Sequence, residues 1–218
     1  MNAFSKCWKP CLAVLLAAIF TLPVQALARS TDIAEVRAQP LGSTVTAVGV
    51  VSVPSGAFVP NDTGFAIQDS HAGLYVHRSL DMNLQVGQVV RVTGRLVNSF
   101  GQVLGIRPTT IEVLGTAPVP PPHPHKTGDI SEETEGRLVR IKGFIVTPLE
   151  DDAPYGWKFD VDDGTGPTTV FVTAGTGIDV SGLRPGQRVI VEGFSAQFLD
   201  HWEVDPRFQD DIRVLQEP

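Results

Sequence analysis

The sequence predicts an all-β protein built from two small five-stranded antiparallel barrels in tandem, with minimal helix. Three observations carry that expectation. Apolar residues alternate with period two along short, β-branched segments that glycines and prolines interrupt. The phrase "LQVGQVVRVTG" (84–94) returns as "LRPGQRVIVEG" (183–193), and the segments around both copies match in the same order, so one unit is used twice. Between the copies lies "TAPVPPPHPHKTGD" (116–129). Its prolines lack an N–H and favour a stiff extended spacer over a sheet ladder, which makes it the expected interdomain linker.

Residues 1–28 stand apart from the fold. Lys6 and Lys9 precede an apolar run from Cys11 to Phe20, and an A-x-A sequence ends at Ala28. This is the pattern of a cleaved secretory signal, which implies a periplasmic or secreted protein with no membrane span after cleavage. Cys7 and Cys11 leave with the signal, so the mature chain would stand on burial without disulfides. The net charge of −7 would fall to −9 with the loss of the two lysines. The acids concentrate in the second half, while the first is nearly neutral.

The expected units are 29–115 and 130–218. "STDIAEVRA" and "DISEETE" each offer a capping residue and an acidic first turn, enough for one helical turn before the first strand. "TAVGVVSVP" matches "RIKGFIVTP", with Gly49 over Gly143. "FAIQDSHAGLYV" matches "FDVDDGTGPTTVFV" as two strands around a turn. The repeated phrase is the fourth strand, where Gly94 and Gly193 permit a bend, and "TTIEVLG" matches "DDIRVLQ" as the last. Alternation points Phe65, Ile67, Leu74, Val76, Val90 and Val92 inward in the first unit. In the second it points Trp157, Phe159, Val161, Val170, Val172, Val189 and Val191 inward.

Taken together, these segments resemble the OB-fold modules of exported bacterial proteins, including those attached to extracellular nucleases. The resemblance spans nearly the whole mature chain, twice. It departs in two places: the helix usual between strands three and four is reduced to "SLDMN" and "TAGTGIDVSG", and no nuclease domain follows. It implies a non-enzymatic binding protein, with single-stranded nucleic acid on the first barrel as the leading partner. A protein or oligosaccharide of the cell envelope is the rival, and a hydrolase with an unrecognised metal or carboxylate site is a third reading.

The side chains support no catalytic motif. The mature chain has no cysteine and no G-x-S-x-G, so no catalytic residue is assigned. His71, His77, His123, His125 and His201 form no pair at helical ligand spacing, so no metal site and no cofactor is expected. "DVDDGTG" (160–166) opens like a calcium loop, but Phe171 stands where a bidentate glutamate belongs, and an Asp-Gly hairpin turn accounts for the same letters. An irregular calcium site involving Glu150, Asp151 and Asp152 stays open.

The candidate ligand-binding residues are therefore those facing out of the barrels, together with Phe100 and Trp202 of the loop after each fourth strand, which could grip a ligand or cap the barrel end. In the first unit they are Tyr75, His77, Arg78, Arg91, Arg95 and Phe100, and in the second Lys158, Phe171 and Trp202. Tyr75 and Phe171 are read as matching outward positions where a ring could stack on a base or sugar. The alternative is that each ring covers a barrel face or meets the other domain. With Arg107, the first-unit arginines form a local basic patch on an acidic protein, whose overall charge opposes phosphate binding.

Overall fold

The computed structural model describes residues 32–58, 63–77, 82–99 and 103–216; the expected signal segment (1–28), Arg78 and Phe100 lie outside them. The described chain opens with α1 (Ile33–Arg37), capped by Asp32, whose Oδ1 accepts from Ala34 N–H at 2.8 Å. Ile33 and Val36, three apart, form the buried face of this turn and pack into the first barrel's core.

The first barrel comprises β1 (Thr44–Val53), β2 (Phe65–Gln68), β3 (Gly73–Val76), β4 (Gln88–Ser99) and β5 (Val103–Thr116). It closes in the order β1-β2-β3-β5-β4, with β4 pairing back on β1. The pairings are antiparallel except β3–β5, which is parallel. Five strands cannot alternate in direction around a closed ring, so one pair of the expected antiparallel barrel must run the same way.

The second barrel repeats the plan. Its ring is β7 (Leu138–Ile145), β9 (Gly156–Asp162), β10 (Thr168–Thr173), β12 (His201–Asp205) and β11 (Arg188–Phe198). The β10–β12 pair is parallel, and β11 closes on β7. Three short strands are added at the margins: β6 (His123–Pro124) on β7, β8 (Glu150–Asp152) on β9 and β13 (Ile212–Leu215) on β11. The expected spacer therefore does join a ladder. Pro124 needs no N–H there, because His125 N–H donates to Arg140 O at 2.9 Å in its place.

Alternation fills both rings as expected. Phe65, Ile67, Leu74, Val76, Val90 and Val92 lie in one core, and Phe159, Val161, Val170, Val172, Val189 and Val191 lie in the other, with Trp157 packed against it. The repeated phrase bends where its glycines stand. A Cβ on Gly94 would fall 2.2 Å from Arg107 O, and one on Gly193 would fall 2.6 Å from Asp205 O, so a side chain at either would force the strands apart.

The register aligns the barrels residue by residue. Tyr75 pairs with Gly105 and Thr169 with Glu203; Arg95 pairs with Arg107 and Phe194 with Asp205. Tyr75 thus corresponds to Thr169, and Phe171 corresponds to His77. The expected match of Tyr75 with Phe171 is out by two residues, a shift that leaves both rings facing outward. One difference is an insertion. Pro108 stays inside the continuous β5, whereas its equivalent Pro206 starts a loop that separates β12 from β13.

The two barrels share a third core, formed by Val53, Ala57, Ala66, Tyr75, Leu138, Phe194 and Ala196, with Phe58 and Val119 against it. Here Gly73 and Gly136 meet backbone to backbone: a Cβ on Gly73 would lie 1.8 Å from Gly136 O. Polar groups close the rest of the seam. Gln68 Oε1 accepts from Leu138 N–H at 2.8 Å, and Arg37 joins Glu135 at 3.0 Å. From the inserted loop, Arg207 is held by both oxygens of Asp211 at 2.9 Å and donates to Ser52 O at 3.0 Å in the other barrel.

Candidate functional site

Strand β12 positions the site. Its alternation sends Val204 into the barrel core with Trp202 packed against it, and turns His201, Glu203 and Asp205 to the outer face. Neighbouring strands supply the rest of that face. β10 contributes Phe171, β9 contributes Lys158, β8 contributes Asp152, and β11 contributes Phe194, Ala196 and Phe198. Phe58 and Tyr75 from the first barrel complete one wall, and Tyr155 stands at the rim. These side chains enclose a groove of about 460 Å³ at the junction of the barrels, within the size range of small-ligand sites.

The walls are aromatic and the floor is acidic. Phe58 meets Tyr75 and Phe194 edge to face, with ring centroids 5.0 Å apart in each pair. Glu203 is only 6% exposed, and His201 Nε2 lies 2.9 Å from its Oε1. Burial raises the Glu203 carboxyl above its ordinary pKa, while His201 and Lys158 oppose that rise. Burial pushes the Asp205 carboxyl well above the ordinary range, and Glu203 beside it acts in the same direction. Asp205 Oδ1 is buried without a hydrogen-bond partner among the described residues. Lys158 pairs with Glu150 at 3.1 Å, a hydrogen bond that raises its own pKa.

The predicted binding residues are thus divided. Lys158 and Phe171 lie in the groove, half-buried. Tyr75 faces out of its barrel but is 2% exposed, because the second barrel covers it; its ring is closed to stacking by a base. This corrects its reading as a free platform and follows the alternative in which the ring meets the other domain. His77 stands edge to face with Tyr75, centroids 6.0 Å apart. Trp202 points to the other side of β12, lining a second hollow of about 490 Å³ with Thr127, Asp160 and Thr168. Arg91 is ion-paired with Glu112 across β4 and β5. Arg95 and Arg107 face each other across the same two strands, both exposed.

Sequence reasoning missed Glu203 and Asp205. Their signal was present in "HWEVDP", where polar and apolar residues alternate. What turns those carboxylates from surface groups into a groove floor is the covering of β12 by residues far away in the chain.

Other titratable clusters have structural work. Asp32, Asp69 and His71 lie close enough to hold a cation. Asp69 is already engaged: Oδ2 accepts from Ile33 N–H at 2.9 Å, and Oδ1 accepts from the His71 and Ala72 N–H groups at 2.8 Å each. Asp162 Oδ1 accepts from Gly164 and Gly166, and Asp163 Oδ1 accepts from Thr165 and Thr127, which fixes the hairpin turn. His123 Nδ1 and His125 Nε2 lie 3.3 Å apart on β6.

The chain is a tandem OB-type β-barrel protein, with two closed five-stranded rings and one short α-helix among the described residues. Neither a protein-family model nor a curated protein matches it. Among solved structures it is similar to an OBody bound to hen egg-white lysozyme, at 19% identity and TM-score 0.37 over 45% of this chain and 99% of that one. It is also similar to a murine DNA binding protein bound with ds DNA, at 11% identity and TM-score 0.42 over 79% and 97%. The Ifi202 HINa domain in complex with 20bp dsDNA gives 15% identity and TM-score 0.38 over 80% and 96%. The assignment of the fold rests on this chain's own strand pairing. No described helix is long and apolar enough to cross a membrane.

Proposed function

We propose that this is an exported, non-catalytic binding protein whose ligand is held in the groove between the barrels. The observation that carries this reading is the convergence there of aromatic walls with Asp152, Glu203 and Asp205, on strands fixed by two barrel cores and a shared seam. The leader pattern supports export, to the periplasm or beyond. Two cores fused by a third hold the groove in shape before a ligand arrives, which lowers the ordering cost of binding.

A second reading has its own observation. Arg95 and Arg107, side by side and exposed on β4–β5, form the basic spot that phosphate contacts require, and single-stranded nucleic acid there is the rival ligand. The groove opposes the same ligand, because its acidic floor repels phosphate.

Isothermal titration separates the two readings. The protein is titrated with cellotetraose, an arginine-rich peptide and a single-stranded oligonucleotide, using wild type, Phe171→Ala and the Arg95→Ala/Arg107→Ala pair. The groove reading expects binding that Phe171→Ala weakens by about tenfold or more and that the arginine pair leaves unchanged. Binding of the oligonucleotide alone, lost with the arginine pair and kept in Phe171→Ala, would overturn it.

A further inference from the structure

We infer that the groove takes a cationic side chain, an arginine or lysine presented by a partner protein, seated against Glu203 and Asp205 with the aromatic rings around it. The inference rests on the groove being the ligand site and names the chemistry it selects.

Among the described residues lining the groove, three carboxylates stand against one lysine and one histidine. Asp205 Oδ1 is buried with no hydrogen-bond partner among the described residues, a costly state for an acid that a donor from outside would relieve. Glu203, 6% exposed, has the His201 ring as its one ion-pair partner among the described residues. Asp152 brings a third carboxyl to the same groove. Lys158 is the sole lysine or arginine lining it among the described residues, and its ammonium is paired with Glu150 at 3.1 Å. A cation entering here replaces like-charge crowding with a pair, and burial makes that pairing stronger than at a surface.

The walls suit the same guest. Aromatic faces attract cations that have shed their water, and Phe58, Phe171 and Phe198 stand beside the carboxylates. Arginine fits best, because its planar guanidinium stacks on a ring while its N–H fork reaches a carboxylate. The rim indicates that the cation arrives on a protein rather than as a free amine. Tyr155 and Phe198 line the groove and are 54% and 47% exposed, an apolar margin that neighbouring residues of a peptide would cover.

The test uses fluorescence anisotropy with a fluorescein-labelled hexapeptide of alternating arginine and leucine. Its control carries citrulline, which has the same shape without the charge, in place of arginine. At neutral pH and low salt the arginine peptide should bind at least about tenfold more tightly than the citrulline peptide. The Glu203→Gln/Asp205→Asn double variant should lose that preference, while Glu133→Gln, which removes an exposed acid outside the groove, should keep it. Equal binding of both peptides, or full affinity in the double variant, overturns the inference. Spermidine competing as strongly as the arginine peptide overturns the protein-borne part. If neither peptide binds but Phe171→Ala abolishes binding of cellotetraose, the cation fails and the groove stands. If Phe171→Ala alters no ligand, both fail.

Discussion

One residue beyond the bend glycine and its partner on the next strand, the two barrels place opposite chemistry at equivalent positions. The first has Arg95 paired with Arg107; the second has Phe194 paired with Asp205. In the first barrel the pair is exposed to solvent. In the second, Phe194 is 1% exposed within the seam and Asp205 lines the groove. The fold is the same, and the difference follows from what lies on top. A bare sheet face keeps its charges hydrated, whereas a covered face becomes a place where a carboxylate waits for a partner.

The first prediction attacks the seam that creates the difference. Gly73→Val places side-chain atoms inside Gly136, and the expected result is loss of the shared core, with denaturant unfolding splitting from one transition into two. A single unchanged transition would show that the barrels are not coupled there.

Next in size is the contrast between two outward-facing rings. Tyr75→Ala should cost about 3–5 kcal/mol, the usual price of truncating a buried aromatic side chain. Phe171→Ala should cost about 1 kcal/mol or less, because its ring is half-open to the groove. Equilibrium denaturation measures both, and equal losses would erase the distinction between covered and open faces.

Asp205→Asn should act in the opposite direction and raise stability at pH 7, because burial disfavours the charged carboxylate that the amide replaces. The folded carboxyl binds its proton more tightly than the unfolded one, so wild-type stability increases as pH falls from neutral through the raised pKa toward the ordinary 3.8. In Asp205→Asn that increase should be shallower, leaving mainly the part due to Glu203. Thermal melts between pH 7 and pH 4 show it.

The smallest effect belongs to the exposed arginines. Arg95→Ala or Arg107→Ala should change stability by no more than about 0.5 kcal/mol, since like charges facing across two strands contribute little and repel. Any weak oligonucleotide binding at low salt should fall in these variants while groove binding is unchanged.

The sequence made the barrels legible through local signals. Period two placed Phe65, Ile67, Phe159 and Val161, and the duplicated phrase placed Gly94 and Gly193. It could not fix the pairing of Tyr75 with its equivalent, because the turns after Gln68 and Asp162 differ in length and a shift of two residues preserves every inward and outward face. The linker reading missed β6 for a similar reason: a two-residue strand is decided by the neighbour that accepts it. The groove was less legible still. Phe58, Tyr155, Phe171 and Asp205 come from four separated stretches, and the seam, with its shared core and the close approach of Gly73 to Gly136, brings the first-barrel wall to the second-barrel floor.

Chemical-shift mapping of the bound state tests the central claim most directly. With the arginine peptide added to isotopically labelled protein, the account predicts shifts at Asp152–Lys158, around Phe171 and along Phe194–Asp205. Shifts confined to β4–β5 around Arg95 and Arg107, with the groove silent for every ligand tried, would contradict it.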